Sequence, residues 1–122
     1  MPHLDPRPTL ADLQRYVAEL EVERGFQAQD VVQKALLLGE EVGELFKALR
    51  KSQGISIDPQ SKVGHVSEEL ADILIYLCAI ANRFGIQLEE AFRQKEEINS
   101  RRTWAPAPAA SGAPEPRPQE KP

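Results

Sequence analysis

Apolar Leu10, Leu13, Val17 and Leu20 recur at steps of three and four residues, the interval that gathers side chains on one face of an α-helix. Thr9 stands just before this run with Asp12 three residues on, the spacing of a capping box, and Gly25 offers a stop. The same periodicity predicts a second helix over about 29–51, ending before Gly54. Residues 52–64 carry Gly, Pro, Ser and Asp and read as a loop. A third helix is expected over about 66–84, with Gly85 as its C-terminal stop, and a fourth over about 88–101. No segment reads as a strand, so the expected fold is an all-α, four-helix bundle.

Residues 73–81 are apolar nearly all round, which marks the third helix as central in a bundle or at a contact between subunits. Gly39 and Gly43, four apart inside the second helix, each cost roughly 1 kcal/mol relative to alanine. Their spacing suggests close approach of another helix. From Ala105 onward the chain reads APAPAASGAPEPRPQEKP and holds six of the ten prolines. Such a segment has too little apolar surface to offset its ordering entropy, so disorder is expected there. The organisation expected is therefore an N-terminal tail (1–8), one folded domain (9–104) and a Pro-rich tail (105–122).

With 122 residues in all, the core is small, and association with further copies of the chain would help it. The formal charge of −4 argues against a binder of nucleic-acid backbones, which needs a basic face. The single cysteine, Cys78, lies in ILIYLCAIA and is expected to be a buried free thiol. The first ten residues lack the basic start and apolar stretch of a signal peptide, and the run over 73–81 is far short of the ~20 residues that span a bilayer. A cytoplasmic protein without membrane attachment is expected.

The chemistry is concentrated in acids. In LGEEVGELFKAL (38–49), Glu40, Glu41 and Glu44 occupy an arc of roughly 100° on a helix. Glu41 is flanked on both sides by apolar positions, while Glu40 lies nearer Lys47 and Lys51. Glu41 and Glu44, three apart, point the same way. The third helix repeats the theme with Glu69 and Asp72, again three apart and on a face shared with Ile73, Tyr76 and Ile80. Ionised carboxylates away from water are costly unless paired or metal-bound. Surface salt bridges to Lys34, Lys47 and Lys51 would account for one such pair. Two matched pairs on apolar faces point instead to convergence on a cation, and all-oxygen ligation suits Mg²⁺ or Mn²⁺. A di-iron carboxylate site would need Glu-x-x-His pairs. His3 lies in the tail and His65 precedes Glu68 in the reverse order, so His65 reads as a loop or helix-start residue.

The pattern Glu40-Glu41-x-x-Glu44 followed by Glu69-x-x-Asp72 resembles the MazG-type all-α nucleoside triphosphate pyrophosphohydrolases, over about residues 28–104. The phrases LLLGEEVGELFKAL, HVSEELADILIYL and FGIQLEEAFRQKEEINSRR carry the likeness, the last with Lys95-x-x-x-Asn99-x-x-Arg102. SEELADILIYL is most similar to the dCTP pyrophosphatase branch. The resemblance implies cleavage between the α and β phosphates, with Glu41, Glu44, Glu69 and Asp72 as Mg²⁺ ligands. It implies that Glu40 orients water or serves a second metal, that Lys95 and Arg102 meet phosphate and Asn99 sugar or phosphate, and that Tyr76 lies near the base. It further implies a homodimer or homotetramer, a role in cleaning the nucleotide pool and a preference for dCTP. Ahead of the acids, Tyr16 and Phe26 are the aromatics available to a base. The competing expectation is a non-catalytic helical oligomerisation or regulatory module whose Pro-rich tail binds a partner.

Overall fold

A computed structural model describes residues 1–102 of the chain. Four α-helices follow one another: α1 (Leu10–Arg24), α2 (Val31–Ser52), α3 (Val66–Arg83) and α4 (Leu88–Ser100). No strand occurs among the described residues. The proposed disordered tail over 105–122 lies outside them.

Local chemistry sets the helix ends. Thr9 Oγ1 accepts from the Asp12 amide at 3.1 Å, and Asp12 Oδ2 accepts from the Thr9 amide at 2.9 Å, so the expected capping box is formed. Gly25 closes α1 at φ 74, a left-handed conformation open to glycine at little cost. The start of α2 differs from expectation. Asp30, in extended backbone, takes the cap and exchanges two 2.8 Å hydrogen bonds with Gln33, which moves the first helical residue from about 29 to Val31. Gly85 follows the end of α3 at φ 65, as expected of a stop, and the Ile86 amide donates back to Ala81 O at 2.9 Å.

The chain divides into two units, Met1–Ala91 and the residues from Phe92 onward. In the first, α3 packs against both α1 and α2 and is its centre. Val17 and Leu20 of α1 meet Cys78 and Ala79 of α3, with Leu13, Tyr16, Ile75 and Leu88 around them. Cys78 is only 1% exposed and is a free thiol, as expected. Burial pushes that thiol above its ordinary range. Gln14, also buried, ties the chain ends of this layer together. Its side-chain amide donates to Asn82 Oδ1 at 3.1 Å and to Ile86 O at 2.8 Å, and its Oε1 accepts from the Leu88 amide at 2.8 Å. A buried polar group is tolerated on those terms, because each of its donors and acceptors is used. The second unit carries the remainder of α4, in which Arg101 pairs with Glu97 at 2.8 Å.

Among the described residues, no helix approaches Gly39 or Gly43 closely. A methyl group at either would meet nothing within 4 Å. The α2 residue most deeply set among its apolar positions is Ala48, and the glycines lie off that side. Several large apolar side chains remain exposed: Val32, Leu36, Phe46 and Leu49 on α2, and Leu70, Leu74 and Leu77 on α3. No helix among the described residues is long and apolar enough to cross a membrane.

Candidate metal centre

Packing of α2 on α3 brings three of the expected acids together. Glu41 of α2 and Glu69 and Asp72 of α3 each present an oxygen within 4.8 Å of the other two. The three-residue step between Glu69 and Asp72 stacks them on one helical face, and Glu41 meets that face from the neighbouring helix. Glu69 is 8% exposed. Gly64, just before α3, stands against its carboxylate.

In this company the Glu41 carboxyl resists ionisation. Burial, the hydrogen bond with Glu69, and the charges of Asp72, Glu69 and Glu44 raise the Glu41 carboxyl from its ordinary 4.5 to about 7. Burial first, then the charges of Glu41, Asp72 and Glu40, also raises the Tyr76 phenol. An all-oxygen donor set with surplus negative charge fits a hard divalent cation, so the residues present suit a metal of the Mg²⁺ or Mn²⁺ type. The cluster contains no histidine, as a di-iron arrangement would require. His65 is the exposed residue before α3 and lies 3.8 Å from Glu68.

Of the other expected site residues, Glu44 and Glu40 lie on α2 in the same unit as the cluster. The charge of Glu44 reaches Glu41, but its carboxylate turns toward Lys47 Nζ at 3.7 Å. Glu40 is exposed on α2, close enough for its charge to act on Tyr76. Lys95 and Asn99 lie on the part of α4 that belongs to the second unit, and Arg102 follows that helix, its amide bonded to Asn99 O at 3.1 Å.

A second feature was not foreseen. Glu21, 5% exposed on α1, receives a forked pair of hydrogen bonds from Arg83 at 2.7 and 2.9 Å and an ion pair from Lys34 at 3.2 Å. Burial opposes ionisation of Glu21, but its bonds to Arg83 and Lys34 outweigh it and hold the carboxyl below the ordinary range. Lys34 is therefore not a surface partner for the α2 acids. It is 3% exposed, with its ammonium 5.1 Å from the centre of the Phe26 ring and 5.6 Å from that of Tyr76. These groups wall a cavity of about 310 Å³ that Asp72 joins to the acid cluster. Phe26 faces this cavity, whereas Tyr16 packs on the core. The signal in the sequence was the one read for Glu41: Glu21 follows Val17 by four, a charged residue along an apolar stripe.

Known proteins resemble this chain in sequence and fold. The family model of the MazG nucleotide pyrophosphohydrolase domain matches residues 33–103. The chain is 37% identical over 102 residues to dCTP pyrophosphatase 1 of Homo sapiens, covering 80% of this chain and 60% of that protein. It thus spans about 60% of the length of the curated relatives it matches. Among solved structures, iMazG from Vibrio DAT 722 aligns with a TM-score of 0.59 and 34% identity, covering 75% of this chain and 94% of that one. The cyanophage S-2L MazG-like pyrophosphohydrolase, bound to dGDP and three catalytic Mn²⁺ ions per active site, aligns at 0.62 and 28% identity over 95% of this chain and 97% of that one. With the acid cluster built from two of its helices, the chain belongs to the MazG nucleotide pyrophosphohydrolase family.

Proposed function

We propose that this protein hydrolyses nucleoside triphosphates between the α and β phosphates, releasing the monophosphate and pyrophosphate, with Mg²⁺ as its ion and Mn²⁺ as a substitute. The observation that carries this reading is the set of three carboxylates within 4.8 Å of one another beside a cavity of about 310 Å³. Deoxynucleotides in the cytoplasmic pool are the proposed substrates, with dCTP among them. The human relative's name and the dGDP held by the cyanophage protein support a nucleotide in this place.

Glu41, Glu69 and Asp72 would hold the ion, and Glu44 would join them by leaving its long contact with Lys47. Held by these carboxylates, a divalent cation would supply charge neutralisation for the phosphates and a more acidic water. Glu40, exposed at the edge, orients the attacking water or adds a ligand for a further ion. Lys95 and Arg102 bind phosphate oxygens, Asn99 binds sugar or phosphate, and Tyr76 lies against the base. We further propose that the protein is a homodimer or homotetramer, a reading supported by the exposed stripe of Leu70, Leu74 and Leu77 on its central helix.

Incubation with a panel of NTPs and dNTPs in Mg²⁺, followed by identification of the products, tests the reaction. Release of orthophosphate in place of pyrophosphate would overturn the cleavage site. Full turnover by Glu41→Gln would overturn the assignment of the metal centre.

A further inference from the structure

The cavity beside the acid cluster contains an imbalance of hydrogen bonding. Two cations, the buried Lys34 and the half-buried Arg83, share one carboxylate, Glu21. Arg83 uses all five of its N–H donors: Nε to Gln29 O, Nη1 to Glu21 and Ala79 O, and Nη2 to Glu21 and Phe26 O. The Lys34 ammonium, by contrast, has three donors and, among the described residues, one hydrogen-bonding partner. On the same cavity wall Gln29 Oε1 is buried with no donor near it. Buried polar atoms in native proteins are nearly always paired, so an unmatched donor and an unmatched acceptor in one cavity indicate an absent ligand that supplies both.

Resting on the hydrolase reading above, we propose that Lys34 and Gln29 select the nucleobase. The Lys34 ammonium donates to a carbonyl oxygen of the base, and Gln29 Oε1 accepts from a ring N–H or an exocyclic amino group. Phe26 and Tyr76 hold the ammonium between their rings, and Glu21 anchors it, so the donor is fixed before the base arrives. Every common base supplies the N–H that Gln29 needs. Guanine, cytosine, thymine and uracil also supply a carbonyl oxygen; adenine does not, and offers only ring nitrogens. The pocket thus disfavours adenine.

The test compares kcat/KM for dATP, dCTP, dGTP and dTTP with Mg²⁺ on the full chain. The wild type is expected to prefer each carbonyl-bearing substrate over dATP by about tenfold, the difference of one charge-assisted hydrogen bond. Lys34→Met keeps the length of the side chain and leaves Glu21 paired with Arg83. It is expected to reduce that preference below about threefold, mainly through KM for the carbonyl-bearing substrates. Gln29→Leu is expected to raise KM for all four and leave their order unchanged. Turnover by wild type with a flat base profile, or an unchanged profile in Lys34→Met, would overturn this assignment alone. Inertness of the wild type toward all four would overturn the hydrolase reading and this assignment with it.

Discussion

Replacing Gly64 with alanine should damage the metal centre while sparing the fold. Gly64 is not among the residues at positive φ, so its backbone accepts a side chain without strain. What a side chain lacks there is room. The methyl carbon would lie 3.5 Å from Glu69 Cδ and overlap Glu69 Oε1. The carboxylate oxygen must retreat by roughly 1 Å to reach ordinary C···O separation. As the far end of a flexible side chain it can do so with little effect on the helix. Metal ligands, however, tolerate displacements of only about 0.2 Å. The expected result is divalent-ion affinity weakened about 10- to 100-fold, the range seen when the supports of a ligand are disturbed. Unfolding should move the other way or not at all, since alanine at a compatible site stabilises by about 0.4–1 kcal/mol through the unfolded chain. Titration with Mn²⁺, following free Mn²⁺ by electron paramagnetic resonance, measures the first quantity, and thermal unfolding of the metal-free protein measures the second. Gly85→Ala is the control: at φ 65 it should lower Tm and leave Mn²⁺ affinity alone. Wild-type Mn²⁺ affinity in Gly64→Ala would refute the reasoning.

Titration of the acid cluster gives a second expectation. The Glu41 carboxyl titrates near 7 in the fold and near its ordinary 4.5 when unfolded, so the folded state holds the proton more tightly between those values. Its contribution to stability is therefore present below about 4.5 and is lost as pH rises toward 7. Chelator-treated wild type should lose stability relative to Glu41→Gln over that window in denaturant melts, and Mg²⁺ should restore it. Equal pH dependence of the two proteins would contradict this. Glu21→Ala leaves Lys34 and Arg83 buried without a counter-charge and is expected to cost about 3–5 kcal/mol in chemical denaturation. Gln14→Leu strips partners from Asn82, Ile86 O and the Leu88 amide. A loss of about 1–3 kcal/mol is expected, together with faster hydrogen exchange at the Leu88 amide than at the amides within α2.

Much of this architecture was readable because its causes are local. Thr9 with Asp12, and the glycines at 25 and 85, act within a few residues of themselves, and each helix end they announced is found there. Asp30 with Gln33 is equally local and went unread, which cost two residues at the start of α2. Glu41, Glu69 and Asp72 were legible for another reason. Paired acids on apolar helix faces are expensive enough to need a shared purpose, and the spacing alone places them toward one another. Lys34 was misplaced because its partner Glu21 lies on another helix, across the α1–α2 loop, and is itself held by Arg83 from 62 residues away. A lysine amid acids looks like a surface partner until α1 is docked beside it. Gly39 and Gly43 misled for the opposite reason, since spacing indicates a possible approach without naming what approaches.

The central position of α3 has a consequence for how the protein is made. Glu41, Glu69 and Asp72 all belong to the α2–α3 pair, which is contiguous in sequence, so these acids can meet as soon as that hairpin closes. The cavity needs α1 as well, and α1 finds its main surface on α3, with bonds such as Gln14–Asn82 spanning 68 residues. On a ribosome, α1 therefore emerges before the α3 surface on which it packs. The acid cluster thus depends on a contact between neighbouring helices, and the chamber beside it on a contact that spans most of the first unit.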